Sequence, residues 1–186
     1  MTIKNMLGIQ PELRRALTKS VGTPNTGVVA EEYGDGKNFT TVLHVNVTDA
    51  LTLADNADIA DGYLLYTLPD GACIIHGTMM SMATQAADAT LAAGITTEAG
   101  LGTVIATGAV AVLSGTATFE DIITGQVGDV DGTADTVTLA TTKLIESAAA
   151  HTIHYNVACD TVDTAGTDLS ADISGTVVIH WTNMAA

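Results

Sequence analysis

The sequence predicts an all-β protein: an antiparallel β-sandwich or jelly-roll-like domain with a short N-terminal helical arm. Three observations predict it. Apolar and polar residues alternate with period two in several runs, the signature of strands buried on one face. Asp, Gly, Thr and Asn cluster between those runs, where turns need them. The apolar content of 47% is carried by Ala, Val, Ile, Leu and Met, with only 4% aromatic residues. Small side chains bury little area each, at about 25 cal/mol per Å², so a chain of this kind gains by associating with further copies of itself.

The chain of 186 residues divides into a basic arm, 1–22, and a β-sandwich domain, 23–186. In the arm, Pro11 suits a first helical turn, Leu13, Ala16 and Leu17 share a face, and Gly22 can stop the helix. Lys4, Arg14, Arg15 and Lys19 lie within it, leaving Lys37 and Lys143 for the remainder. An isolated helix this short is marginal in water, so it should dock on its own domain or on a neighbouring subunit. Leu13 and Leu17 would supply apolar contact there, and Arg14 and Arg15 would pair with carboxylates.

Residues 22–38 read as loop and turn from their glycines, Pro24, Asn25 and Asp35. In Thr41 to Thr48, Leu43, Val45 and Val47 face one way and Val42, His44, Asn46 and Thr48 the other. Asp49 to Gly62, acidic and Ala-rich, reads as a loop or a short helix. Tyr63 to Leu68 and Cys73 to Met82 read as strands, with Pro69, Asp70 and Gly71 as the turn of a hairpin. Ala83 to Ala93 has helical composition.

Gly100 to Gln126 has small and β-branched apolar residues, closely spaced glycines, Phe119, and no charge before Glu120 and Asp121. Such a stretch buries both faces only if other chain covers it. Leu101 to Thr107 reads as a strand; Thr118 to Thr124 suits either a short helix or a strand; Gly125 to Asp135 reads as a loop. Thr136 to Ser147 resumes strand character. His151 to Cys159 places Ile153, Tyr155, Val157 and Cys159 on one face and Thr152, His154, Asn156 and Ala158 on the other. After an acidic, turn-rich stretch from Asp160 to Gly175, Thr176 to Thr182 points Val177, Ile179 and Trp181 inward and Val178, His180 and Thr182 outward. That makes about eight short strands with polar connections.

A net charge of −15 and a pI near 4.2 repel phosphate backbones, which excludes nucleic acid as a partner. No apolar run approaches the ~18 residues of a membrane span, and Met1 to Arg15 lacks a signal-peptide core. Asn38-Phe39-Thr40 and Asn46-Val47-Thr48 match the glycosylation triplet by chance. Cys73 and Cys159 are two buried thiols or one inter-strand disulfide.

Catalytic residues, a metal and a cofactor are all read as none. His151 and His154 fall on opposite faces of one strand, whereas His44, His154 and His180 could converge only if their strands were neighbours. Asp55, Asp58 and Asp61, like Asp129, Asp131 and Asp135, resemble part of a calcium loop but lack EF-hand spacing. Glu120 and Asp121 are adjacent rather than opposed, and Gly100-Leu101-Gly102 lacks the third glycine of a dinucleotide loop. Met79, Met80 and Met82 fill core or an intersubunit contact.

Residues 60–72, ADGYLLYTLPDGA, with Gly102-Thr103-Val104-Ile105-Ala106 and Gly115-Thr116-Ala117-Thr118-Phe119-Glu120-Asp121, resemble small acidic virion proteins of tailed bacteriophages, particularly head and capsid decoration proteins of marine phages. The resemblance implies an all-β fold and assembly as trimers or other homo-oligomers on the capsid exterior. It also implies contact with the major capsid protein and a stabilising role against internal DNA pressure, after synthesis in the host cytoplasm. It brings no catalytic residue and does not account for the basic arm. The alternative is a carbohydrate-binding, fibre or surface-layer module, which would need an exposed aromatic such as Trp181 beside Tyr63 or Tyr155.

Overall fold

Alternating side chains, rather than long apolar runs, divide the chain between two sheets. The computed structural model describes residues 22–53, 57–86, 97–115, 118–128, 135–139, 143–145, 151–162 and 169–184. Among these the strands are β1 Thr23–Pro24, β2 Val28–Gly34, β3 Asn38–Leu53, β4 Ala57–Leu68, β5 Cys73–Ala86, β6 Thr97–Gly102, β7 Thr107–Gly108, β8 Ile123–Gly128, β9 Asp135–Leu139, β10 Lys143–Ile145, β11 His151–Val162 and β12 Leu169–Asn183. A front sheet runs β10-β5-β12-β3-β2, with β9 also on β5; a back sheet runs β1-β4-β11-β6-β8, with β7 also on β4. Every pairing is antiparallel. No helix among the described residues is long and apolar enough to cross a membrane.

The inward faces of both sheets make one core. Leu43 and Val45 from β3, Val177, Ile179 and Trp181 from β12, and Ile153, Tyr155, Val157 and Cys159 from β11 are all buried in it, as the alternation predicts. Each such side chain contributes about 1.5–3 kcal/mol on leaving water. Trp181 stacks on Phe39 at 4.5 Å between centroids and donates its indole N–H to Thr41 Oγ1 at 2.9 Å. Hydrogen bonds also cross between the sheets, among them Tyr155 Oη with Thr84 Oγ1 at 2.9 Å, Tyr66 Oη donating to Glu32 and the Thr52 N–H donating to Asp61 Oδ2 at 2.7 Å.

Several connections differ from the sequence reading. Pro69 to Gly71 does make a turn, with Gly71 at φ 104°, but it carries the chain from β4 in the back sheet to β5 in the front sheet. Turn chemistry specifies a reversal and not which sheet receives the next strand. Residues 22–38 contain β1 and β2. β2 is an edge strand whose inward side carries buried Glu32 beside Val28, and inward-pointing charge is one way an edge resists pairing with strangers. β3 continues past Thr48 because Asp49, at φ 52°, forms a bulge opposite Asp172. There the Asp49 N–H donates to Asp172 Oδ1 at 2.9 Å and the Ser170 hydroxyl donates to Asp49 Oδ1. Gly175 lies inside β12, not at the end of a turn. Its φ is 139°, and a Cβ there would sit 2.2 Å from Ser81 O and 2.8 Å from Met82 Cα.

Ala57 to Gly62 is strand rather than loop or short helix, Ala83 to Ala86 is strand rather than helix, and the strand read over Leu101 to Thr107 is Thr97–Gly102. Thr118 to Ile122 is turn leading into β8, which takes up Gly125 to Gly128. The helical arm, 1–22, lies outside the described residues apart from Gly22.

Candidate functional site

Alternation assigns Thr152, His154, Asn156 and Ala158 of β11 to the outer face of the back sheet. They are indeed on that face, yet the last three are buried. The cover comes from residues 103–115 and 118–122. Ala106, Leu113 and Phe119 pack on Ala60 of β4 and Ala158 of β11 as a second, smaller apolar cluster. Asn156 fixes this cover to the sheet. Its Oδ1 accepts the Ala106 N–H at 2.9 Å, and its Nδ2 donates to Val104 O at 2.9 Å and Phe119 O at 2.7 Å. All the side-chain polar groups of a buried amide except one lone pair are thereby used.

Other polar side chains brace the same segment. The Thr152 hydroxyl donates to Thr103 O at 3.1 Å. Asp121 accepts both the N–H and the hydroxyl of Thr103, at 2.8 and 2.7 Å, and meets Lys143 Nζ at 3.0 Å. Glu98 accepts the Leu113 N–H at 2.9 Å, and Glu120 the Gly125 N–H at 2.5 Å. Gly102 lets the cover approach this closely, since a Cβ there would lie 2.4 Å from Phe119 C and O. Beneath it, His154 Nδ1 is buried with no hydrogen-bond partner among the described residues, and burial lowers the pKa of the ring.

The front sheet is different. At the end formed by the β2–β3 turn, its outer face holds a cleft of about 380 Å³ lined by Tyr33, Asp35, Asn38, Thr40, His76, His180 and Thr182. A chain of hydrogen bonds crosses it. The Asp35 carboxylate accepts the Asn38 N–H at 2.7 Å, the Lys37 N–H at 3.0 Å and Asn38 Nδ2 at 3.2 Å. These donors, the Asn38 N–H foremost, hold its pKa down to about 2. With Nδ2 so engaged, Asn38 Oδ1 accepts the Thr182 hydroxyl at 2.8 Å. That hydroxyl has one proton, so its lone pair is left to meet His76 Nε2, 2.8 Å away. His180 Nδ1 bonds Thr40 Oγ1 at 3.0 Å. Nearby, Tyr33 Oη donates to Glu31 Oε2 at 2.7 Å, which raises the tyrosine pKa, and His44 Nε2 lies 3.9 Å from Glu31 Oε1.

The sequence-predicted candidates are therefore dispersed. His44 and His180 are on the front sheet and His154 is on the back sheet, so the three do not converge. His44 and His180 stand opposite Thr176 and Thr40, which separates them by about 13 Å along the ladder. Among the described residues no three His, Cys, Asp or Glu side chains form a metal-ligand group. Asp61 accepts the N–H groups of Thr52 and Gly62, at 2.7 and 2.8 Å. Asp55, Asp129 and Asp131 lie outside the described residues. Glu120 and Asp121 serve separate backbone groups. Cys73 and Cys159 are free and buried, in opposite sheets, which removes the disulfide reading; burial pushes the Cys159 thiol to about 12.

Met80 and Met82 are core, whereas Met79 is exposed. Trp181 is 1% exposed and Tyr155 2%, so neither offers a face to a sugar. Leu13, Arg14, Arg15 and Leu17 lie outside the described residues. His76 enters only through the structure: a register shift at His180/Trp181 lets its ring reach across to Thr182, which alternation cannot show.

No protein-family model and no curated protein matches the chain. Among solved structures, it is similar to a chain from the structure of infectious bursal disease virus, Gx strain, at 11% identity and a TM-score of 0.29. The similarity covers 89% of this chain and 38% of that one, and at this level it carries no weight for fold or function.

Proposed function

We propose that this is a virion structural protein of the tailed-bacteriophage kind, acting as a capsid decoration protein on the head exterior. One observation carries the reading: buried or half-buried polar side chains within the 97–125 region, and Asn156 of β11 beneath it, are spent on holding its backbone. Asn156, Asp121, Glu98 and Glu120 each accept main-chain N–H groups. A protein whose polar interior serves rigidity suits a scaffold that must resist force. An acidic body fits a position outside the shell, because it has no affinity for the DNA within. In this reading the basic arm anchors the protein to the major capsid protein through Leu13, Arg14, Arg15 and Leu17, and copies assemble as a trimer or another homo-oligomer.

The test is co-sedimentation with purified capsid shells. The intact chain should pellet with shells, and a chain lacking residues 1–20 should stay in the supernatant with its β circular dichroism unchanged. Equal pelleting of both would refute the anchoring role; no pelleting of either would refute the decoration reading. The front-sheet cleft favours a second reading, a module that binds a neutral polyol or sugar, since Asn38, Thr40, His76 and Thr182 present donors and acceptors there. The burial of Trp181 takes away the stacking platform such sites use. Shifts of the His76 and His180 ring signals on adding glycans would favour it.

A further inference from the structure

We propose that copies of this chain associate through the outer surface of residues 104–112. This rests on the assembly reading above and adds to it the surface that makes the contact. Val104, Ile105 and Val112 are each 43% exposed. Three of the seven exposed large hydrophobics among the described residues thus fall within nine positions of the sequence. Thr107, Gly108 and Ala109 between them are exposed as well, and no charged residue occurs from Thr103 to Phe119.

The charge distribution selects a second copy as the occupant. Residues 1–20 hold four cations against Glu12, and residues 21–186 hold twenty carboxylates against Lys37 and Lys143. The body is therefore more acidic than the whole. Glu31, Asp35, Asp49, Asp70, Asp160 and Asp172 are exposed elsewhere on it. Contact between identical bodies at those places sets carboxylate against carboxylate, which costs affinity unless each is paired. The uncharged 104–112 surface is where two such bodies can meet without that repulsion and still remove apolar area from water.

The exposed hydrophobics of the front sheet are less suitable. Val29 stands opposite His44, beside Glu31, and Met79 and Leu144 lie on other strands. The 104–112 surface is also held in place before contact. Val104 and Ala106 are bonded to Asn156, and Leu113 is buried at the end of the segment. Little ordering remains to oppose association.

Sedimentation velocity of the full-length chain tests the proposal, with Val104→Asp, Val112→Asp and the milder Ile105→Ala compared with Val29→Asp as a control on the front sheet. Thermal melts establish that each variant is folded. The expected result is an oligomer for the unaltered chain and for Val29→Asp, with association weakened at least about tenfold by either aspartate. Added salt should strengthen association of the unaltered chain, because it screens the repulsion between acidic bodies. A chain that stays monomeric at about 100 µM, or aspartate variants that associate undiminished, would overturn the proposal. Shell binding separates the two readings. A monomer that still pellets with capsids removes only this surface, and an oligomer that ignores capsids removes only the decoration role.

Discussion

Replacing Asn156 with alanine should detach the cover of the back sheet at its best-anchored point. The change removes three hydrogen bonds, to Ala106 N, Val104 O and Phe119 O. Val104 is 43% exposed, so its carbonyl can turn to water. Ala106 and Phe119 are 1% and 7% exposed, so their stranded groups cost about 1–3 kcal/mol each. With the void left by the carboxamide, the total is about 3–5 kcal/mol. That is a large share of a net stability of about 5–15 kcal/mol, and it corresponds to a fall of about 10 °C in Tm for a chain of this size. Trp181, the single tryptophan and buried against Phe39, reports global unfolding in a urea titration. Asn156→Asp keeps the bond to Ala106 N but aims an oxygen at two carbonyls, so at neutral pH it should be at least as damaging. Loss of less than about 1 kcal/mol in Asn156→Ala would show that the cover is held by apolar contact alone and refute the reasoning.

Three further outcomes follow from single residues. The folded state holds His154 neutral below its ordinary pKa of 6.5, so the unfolded state binds the proton first. Stability should therefore be flat above about pH 6.5 and fall as the pH drops below it; a urea midpoint measured from pH 8 to 5 should lose part of that slope in His154→Gln. Gly175→Ala should lower stability by about 2 kcal/mol or more, since it combines a positive φ with contact against Ser81 O; a melt unchanged from the parent would contradict this. Cys73 and Cys159, both buried with raised pKa values, should resist an aromatic disulfide reagent in the native protein and react together once urea unfolds it.

The strands with clean alternation were legible because burial on one face leaves a period of two that needs no knowledge of neighbours. Leu43 and Val45, Ile153 to Cys159 and Val177 to Trp181 are of this kind. At three places strand was missed because one residue served a non-local purpose. Glu32 interrupts β2 because it bonds Tyr66 from the other sheet. Asp49 mimics a turn because it bulges against Asp172, and Gly175 mimics one because Ser81 O approaches it. At the sites, alternation placed Asn156 on the correct face of β11 but could not reveal what lies over it. The cover joins residues fifty apart through main-chain atoms, which have no sequence signature. The lack of charge before Glu120 was the only local sign, and it pointed to covered chain without saying which strand it covers. His76 was invisible for a similar reason, since its partner Thr182 is 106 positions away.

Amide hydrogen exchange resolved by residue tests the central claim most directly. If the uncharged segment after β6 is seated on the back sheet as part of the folded body, the N–H groups of Thr103, Ala106 and Leu113, bonded to Asp121, Asn156 and Glu98, exchange as slowly as those of β11, through global unfolding. If they exchange orders of magnitude faster, at rates like those of the exposed β2–β3 turn, the back sheet is open and the account of its covering fails.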